Sequence, residues 1–89
     1  MNAIITVVGH DSKGIISKVS AKCAEAGANI LEISQSILKE YFAMIMLVEL
    51  DKLDVPFREF TEEMKQSGKE FGVDISVMHE DIFNTMHHI

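Results

Sequence analysis

"VVGHDSKGII", residues 7–16, decides how this chain folds. A β-branched run, "AIITVV" over residues 3–8, halts at Gly9. Within seven residues the apolar pattern restarts with a different period. Ile15, Ile16, Val19, Cys23 and Ala26 recur at three- and four-residue steps, while Lys13, Lys18, Lys22 and Glu25 take the other side. The first run reads as a central strand and the second as an amphipathic helix over residues 12–26. Between them lies a strand-to-helix turn. Gly9 suits a sharp exit, Asp11 or Ser12 suits the helix N-cap, and Gly14 suits close backbone approach. Gly27 stands where a helix-ending glycine belongs.

Outward from this turn the rest of the order follows. "ILEISQSI", residues 30–37, alternates, with Leu31, Ile33, Gln35 and Ile37 on one side; it predicts a half-buried strand, possible as an edge. "YFAMIMLVEL", residues 41–50, predicts a buried strand paired with it through the turn "LKEY". Pro56 opens a second helix, in which Phe57, Phe60, Met64, Ser67 and Phe71 are at helical spacing. Gly68 weakens that helix or ends it early, and Gly72 closes it. "VDISVMH", residues 73–79, predicts a fourth strand. Residues 80–89 place Ile82, Phe83, Met86 and Ile89 for a short docking helix. The order βαββαβ, with a helical tail, specifies an α+β ferredoxin-like sandwich. It has an antiparallel four-stranded sheet and two helices on one face, in a single domain over residues 1–89.

The 89 residues carry eight basic and fourteen acidic side chains, for a net charge of −6, and Arg58 is the single arginine. That balance argues against nucleic-acid and anionic-membrane surfaces, which need clustered cations. No basic leader and no run of membrane-spanning length is present, so a cytoplasmic location is expected. Cys23 has no partner for a disulfide and falls on the apolar side of the first helix, as a small core residue. The first loop lacks the cysteine pair of a copper carrier and the arginine of a phosphate hydrolase. His10 and Ser12 are neighbours in sequence with no third orienting group, so no catalytic residue is assigned. His79, His87 and His88 read as exposed tail histidines, and neither metal nor cofactor is expected. Met44 and Met46 alternate with Ile45 and Leu47, leaving both faces of the third strand apolar. Either the tail helix covers part of the second face, or another subunit does.

The same loop offers free amides and a helix N-terminus to a carboxylate, and the Asp11 carboxylate to an ammonium. Such a pair suits an α-amino acid. Two motifs then resemble the ACT domain, a small ligand-binding regulatory module. One is the Asp-x-x-Gly-Ile of "DSKGII", residues 11–16; the other is "AGANI", residues 26–30. The likeness runs to about residue 79 and is nearest to stand-alone ACT proteins and to glycine-cleavage-repressor-type modules. It implies a ligand site between two subunits, with Asp11 touching the ligand, Gly14 keeping the loop open, and Asn29 reaching in from the neighbouring chain. Asn29 also suits a left-handed turn. Many ACT domains have proline before the loop glycine; Lys13 stands here, loosening the loop and placing a positive charge at its mouth. The candidate ligand residues are therefore His10, Asp11, Ser12, Lys13, Gly14, Ile15, Asn29 and Ile30. The expected role is amino-acid sensing by a homodimer that signals to a protein partner. The alternative is a ligand-free interaction or oligomerisation module.

Overall fold

The computed structural model describes residues 1–10 and 13–87. The elements run β1 (Asn2–Gly9), α1 (Ile15–Ala26), β2 (Asn29–Leu38), β3 (Tyr41–Glu49), α2 (Phe57–Phe71), β4 (Asp74–His79) and α3 (Glu80–Met86). Four strands form one sheet in the order β2-β3-β1-β4, antiparallel at every junction. This is the expected ferredoxin-like sandwich.

Alternation along the strands builds the core. Ala3, Ile5 and Val7 of β1 and Phe42, Met44, Met46 and Val48 of β3 all face α1 and α2, and all are buried. From the helices come Ile15, Val19 and Cys23 of α1 and Phe60 and Met64 of α2. Unbranched Met44 and Met46 fill the layer beneath them. On the other sheet face, α3 docks chiefly through half-buried Phe83, while Ile82 and Met86 stay exposed. That face is only partly covered, for Val8, Tyr41 and Ile45 remain about half exposed. Ile89 and His88 lie outside the described residues.

Several local readings are corrected. Helix α1 begins at Ile15 rather than residue 12, and its capping residue is Gly14. Asp11 and Ser12, expected as caps, lie outside the described residues. The two loop glycines also exchange reasons. Gly9 continues the strand, and a Cβ there would stand 2.7 Å from Val73 Cγ1. Around Gly14 a Cβ would meet nothing within 4 Å, but its φ of 74° is left-handed. Gly68 does not end α2; a Cβ there would stand 2.9 Å from the Val73 carbonyl oxygen, so its absence lets the helix approach that backbone. Pro56 sits at the N-cap of α2, one residue before its first turn. Ile16, expected inside, is 39 % exposed.

Strand β2 departs furthest. It is an edge, but not a half-buried one: Leu31, Ile33, Ile37 and Leu38 are 42–72 % exposed. Leu31 falls in a register irregularity between Ile30 and Glu32, so Ile33, Gln35 and Ile37 share the helix side without it. The hairpin turn holds Lys39 at φ 57°, a left-handed conformation costing about 1–2 kcal/mol for a residue with a Cβ.

Both long helices end alike. Gly27 and Gly72 are left-handed, and the following amides, of Ala28 and Val73, reach back to the carbonyls of Cys23 and Gly68 at 2.9 Å each. Only Gly27 is also sterically pinned, because a Cβ there would collide with the Lys52 carbonyl oxygen. Gly72→Ala is therefore expected to cost about 1–2 kcal/mol from backbone strain alone. Gly27→Ala should cost clearly more, since the segment after β3 must also move. Urea unfolding of the two variants compares them directly.

Cys23 is fully buried, and desolvation pushes its thiol from the ordinary 9.0 up to about 11. The folded chain thus keeps a proton that the unfolded chain loses first. This contribution is complete below pH 9 and is lost as pH rises from 9 toward 11. Urea midpoints of the protein should fall across that window more steeply than those of Cys23→Ala.

Candidate functional site

The residues expected to touch a ligand lie at two ends of the molecule. At one end β1 delivers Gly9 and His10, and after the turn Lys13 and Gly14 lead into α1. His10 and Lys13 are exposed. The His10 ring packs edge-on against Tyr41, with centroids 4.8 Å apart at 60°, which holds the imidazole over the start of β3. Tyr41 is not among the expected ligand residues; its place at the strand start, opposite His10, is the signal for it.

Helix α1 starts without a side-chain cap among the described residues, and its first turn carries no acidic residue. Its first intrahelical bond runs from the Lys18 amide to the Gly14 carbonyl at 3.1 Å. The amides of Ile15, Ile16 and Ser17 therefore precede the helical ladder and point out of its end. With Lys13 beside them, they favour negative charge at this spot. Ile15 is 3 % exposed and belongs to the core, so its backbone amide, and not its side chain, is what it can offer a ligand.

Asn29 and Ile30 begin β2 at the other end of the sheet. Asn29 pairs across β3 with Glu49, which in turn pairs with Asn2. Gly9 is seven residues further along, so the loop and Asn29 of one chain stand roughly 23 Å apart along the strands. Asn29 is exposed and extended; the left-handed position of this turn is Gly27. Ile30 is half-buried beside Val48. One chain does not assemble the expected constellation.

Other cavities flank these positions. One of about 470 Å³ opens at the loop end, with His10, Tyr41, Lys69 and Asp74 on its walls. A broader one of about 740 Å³ lies between α1 and α2, under a rim that includes Glu25, Glu59, Glu62 and Glu63. Of the tail histidines, His79 is half-buried rather than exposed, and its Nδ1 accepts the Asp81 amide at 3.1 Å to cap α3. His87 is exposed but stacks on Phe83, centroids 4.2 Å apart. No helix of the described residues is long and apolar enough to cross a membrane.

The sequence pattern of the ACT domain matches residues 2–78, nearly the whole described chain. The chain belongs to the ACT domain family. Among its relatives, a UPF0237 protein of Methanopyrus kandleri is 45 % identical over 87 residues, 98 % of this chain and 97 % of its own. An ACT domain protein from Streptococcus pneumoniae superposes with a TM-score of 0.83 at 43 % identity, covering 93 % of both chains. The regulatory subunit of aspartate kinase from Thermus thermophilus superposes at a TM-score of 0.65 with 26 % identity, over 85 % of this chain and 49 % of that one. The motifs in "DSKGII" and "AGANI" thus belong to a true ACT frame. As an ACT domain, the chain is of a regulatory, ligand-binding class.

Proposed function

We propose that this ACT domain senses a small amino-acid-like ligand between two copies of itself, paired along β2, and passes the result to a protein partner. The carrying observation is the separation of the loop from Asn29. Among the described residues, strand β2 is a free edge, bonded only to β3. If two copies pair antiparallel about the middle of β2, Asn29 of the partner subunit falls opposite Leu38. Leu38 lies at the same end of the sheet as Gly9 and the α1 N-terminus. The two halves then meet.

Physical chemistry supports that pairing. The edge shows Leu31, Ile33 and Ile37 to solvent on or near the helix side, and Ile16 is exposed on α1. Long apolar edges invite another strand, and here β2 lacks proline while its charge is confined to Glu32 and, at the turn, Lys39 and Glu40. In the joint, the α1 amides and Lys13 suit a carboxylate, and Asp11 suits an ammonium. Ligand bound across both copies stabilises one dimer arrangement, and so couples to whatever contacts that dimer. A second reading, an interaction module with no ligand, is favoured by Ile82 and Met86, which α3 leaves 55 % and 63 % exposed.

A thermal-shift screen against the twenty amino acids separates the two. At a hundredfold above its dissociation constant, a ligand of the native dimer adds about 2.7 kcal/mol. Ile33→Lys places a charge on the edge without touching the core; it should yield a monomer by sedimentation and lose the shift. Asn29→Ala should lose the shift and keep the dimer. A shift that survives in the Ile33→Lys monomer, or no shift with any amino acid, contradicts the sensing role.

A further inference from the structure

Beneath α3, on the sheet face away from α1 and α2, lies a cavity of about 300 Å³. Ile4, Ile45, Met78 and Phe83 supply apolar walls, and Thr6, Ser76 and His87 the polar points. Alternation explains the set. Ile4 pairs with Met78 and Thr6 with Ser76 across β1 and β4, so all four side chains rise from one face. Ile45 opposes Thr6 from β3. Helix α3 roofs one side through Phe83 and His87, held in place by the His79 cap and by the Phe83 contact, while the other side stays open at Ile45 and Ser76.

The polar points are few: Thr6 is half-buried, and Ser76 and His87 lie exposed at the open side. Among the described residues, no hydrogen bond engages the hydroxyls of Thr6 and Ser76. The His87 Nδ1 lies 3.0 Å from the Phe83 carbonyl, which can only accept, so that nitrogen carries the hydrogen. In the neutral tautomer that matches this contact, Nε2 is an acceptor. Glu80 and Asp81 open α3, so the surroundings disfavour anions. A thioether and a phenyl ring among the walls suit an aromatic guest. An apolar cavity of about 150 Å³ holds one benzene ring, so twice that volume holds a fused pair.

We propose that this cavity binds a small neutral aromatic molecule of one or two rings carrying a single N–H or O–H donor. The site is complete within one protomer, and it does not depend on the β2 pairing or on the amino-acid reading. Its guest packs between Met78 and Phe83 and donates to Thr6, Ser76 or His87. Because α3 is the roof, occupancy fixes the tail helix on the sheet.

Indole is the probe, and the readout is methyl NMR of the full chain. Indole should shift the methyl signals of Ile4, Ile45 and Met78 saturably, with those of Val19 and Val48 in the core unmoved. N-methylindole, which has no donor, should bind roughly three- to tenfold more weakly. Thr6→Val removes one hydroxyl at constant shape and should weaken indole by a similar factor. Ser76→Ile fills the space and should abolish the shifts, its own methyl spectrum showing that the variant is folded. No saturable shift at the solubility limit of indole, shifts centred on Val8 and Val73 instead, or unchanged binding in Ser76→Ile would overturn the proposal.

Discussion

Strand β3 lies antiparallel to both β1 and β2, and nearly everything else depends on that arrangement. It forces β1 and β2 to run the same way, so α1 must carry the chain back along the sheet between them. The turn that launches α1 and the turn that ends it are therefore at opposite ends of the molecule. The two ACT motifs mark these turns. A ligand that needs both would have to be met by a second chain bringing its own α1 terminus, and in the dimer we propose the β2 edge is where a two-fold axis does this. On that proposal, the pairing registers of three ordinary strand junctions make the site a property of two molecules.

Each end is fixed by backbone rather than by side-chain chemistry. Gly14 at φ 74° starts α1 with no side-chain cap among the described residues, while Gly27 at φ 86° turns the chain against the Lys52 carbonyl. The Ala26 carbonyl then accepts the Asp54 amide at 3.0 Å, tying the α1 terminus to the segment after β3. Asn29 leaves this bonded corner in extended geometry, exposed, at the first position of the edge strand. The polar groups that a zwitterion would use are therefore held by elements whose own hydrogen bonds are already made elsewhere.

The sandwich was legible because its signals are about burial. The β-branched run of residues 3–8, the apolar run of residues 41–50 and the helical spacing of Ile15, Val19 and Cys23 all report it, and burial is what the core enforces. The same signal misled at β2. Leu31, Ile33 and Ile37 alternate as buried residues do, yet one chain leaves them in solvent; alternation marks an apolar face and says nothing of what covers it. Glycine was legible as punctuation but not as mechanism. Gly9 is set by Val73, far away in sequence, and Gly68 by the chain turning back onto its own helix at Val73 and Ile75, and no periodic pattern announces such contacts. The α1 start failed for a related reason: Asp11 and Ser12 are good capping residues, but the left-handed Gly14 defines the helix boundary. The separation of Asn29 from the loop follows from strand order, whereas its meaning for the ligand site needed the register.

The pairing of two β2 strands is tested most directly by cysteine cross-linking. Asn29 and Leu38 of one chain are about 30 Å apart, far beyond the roughly 4.4–6.8 Å between the Cα atoms of a disulfide, so a bond between cysteines at these positions must join two chains. In a chain carrying Asn29→Cys and Leu38→Cys, with buried Cys23 replaced by alanine, mild oxidation is expected to give covalent dimers that reducing agent returns to monomers, while either single cysteine variant gives few. A double variant that stays monomeric under oxidation and sediments as one chain would contradict the account.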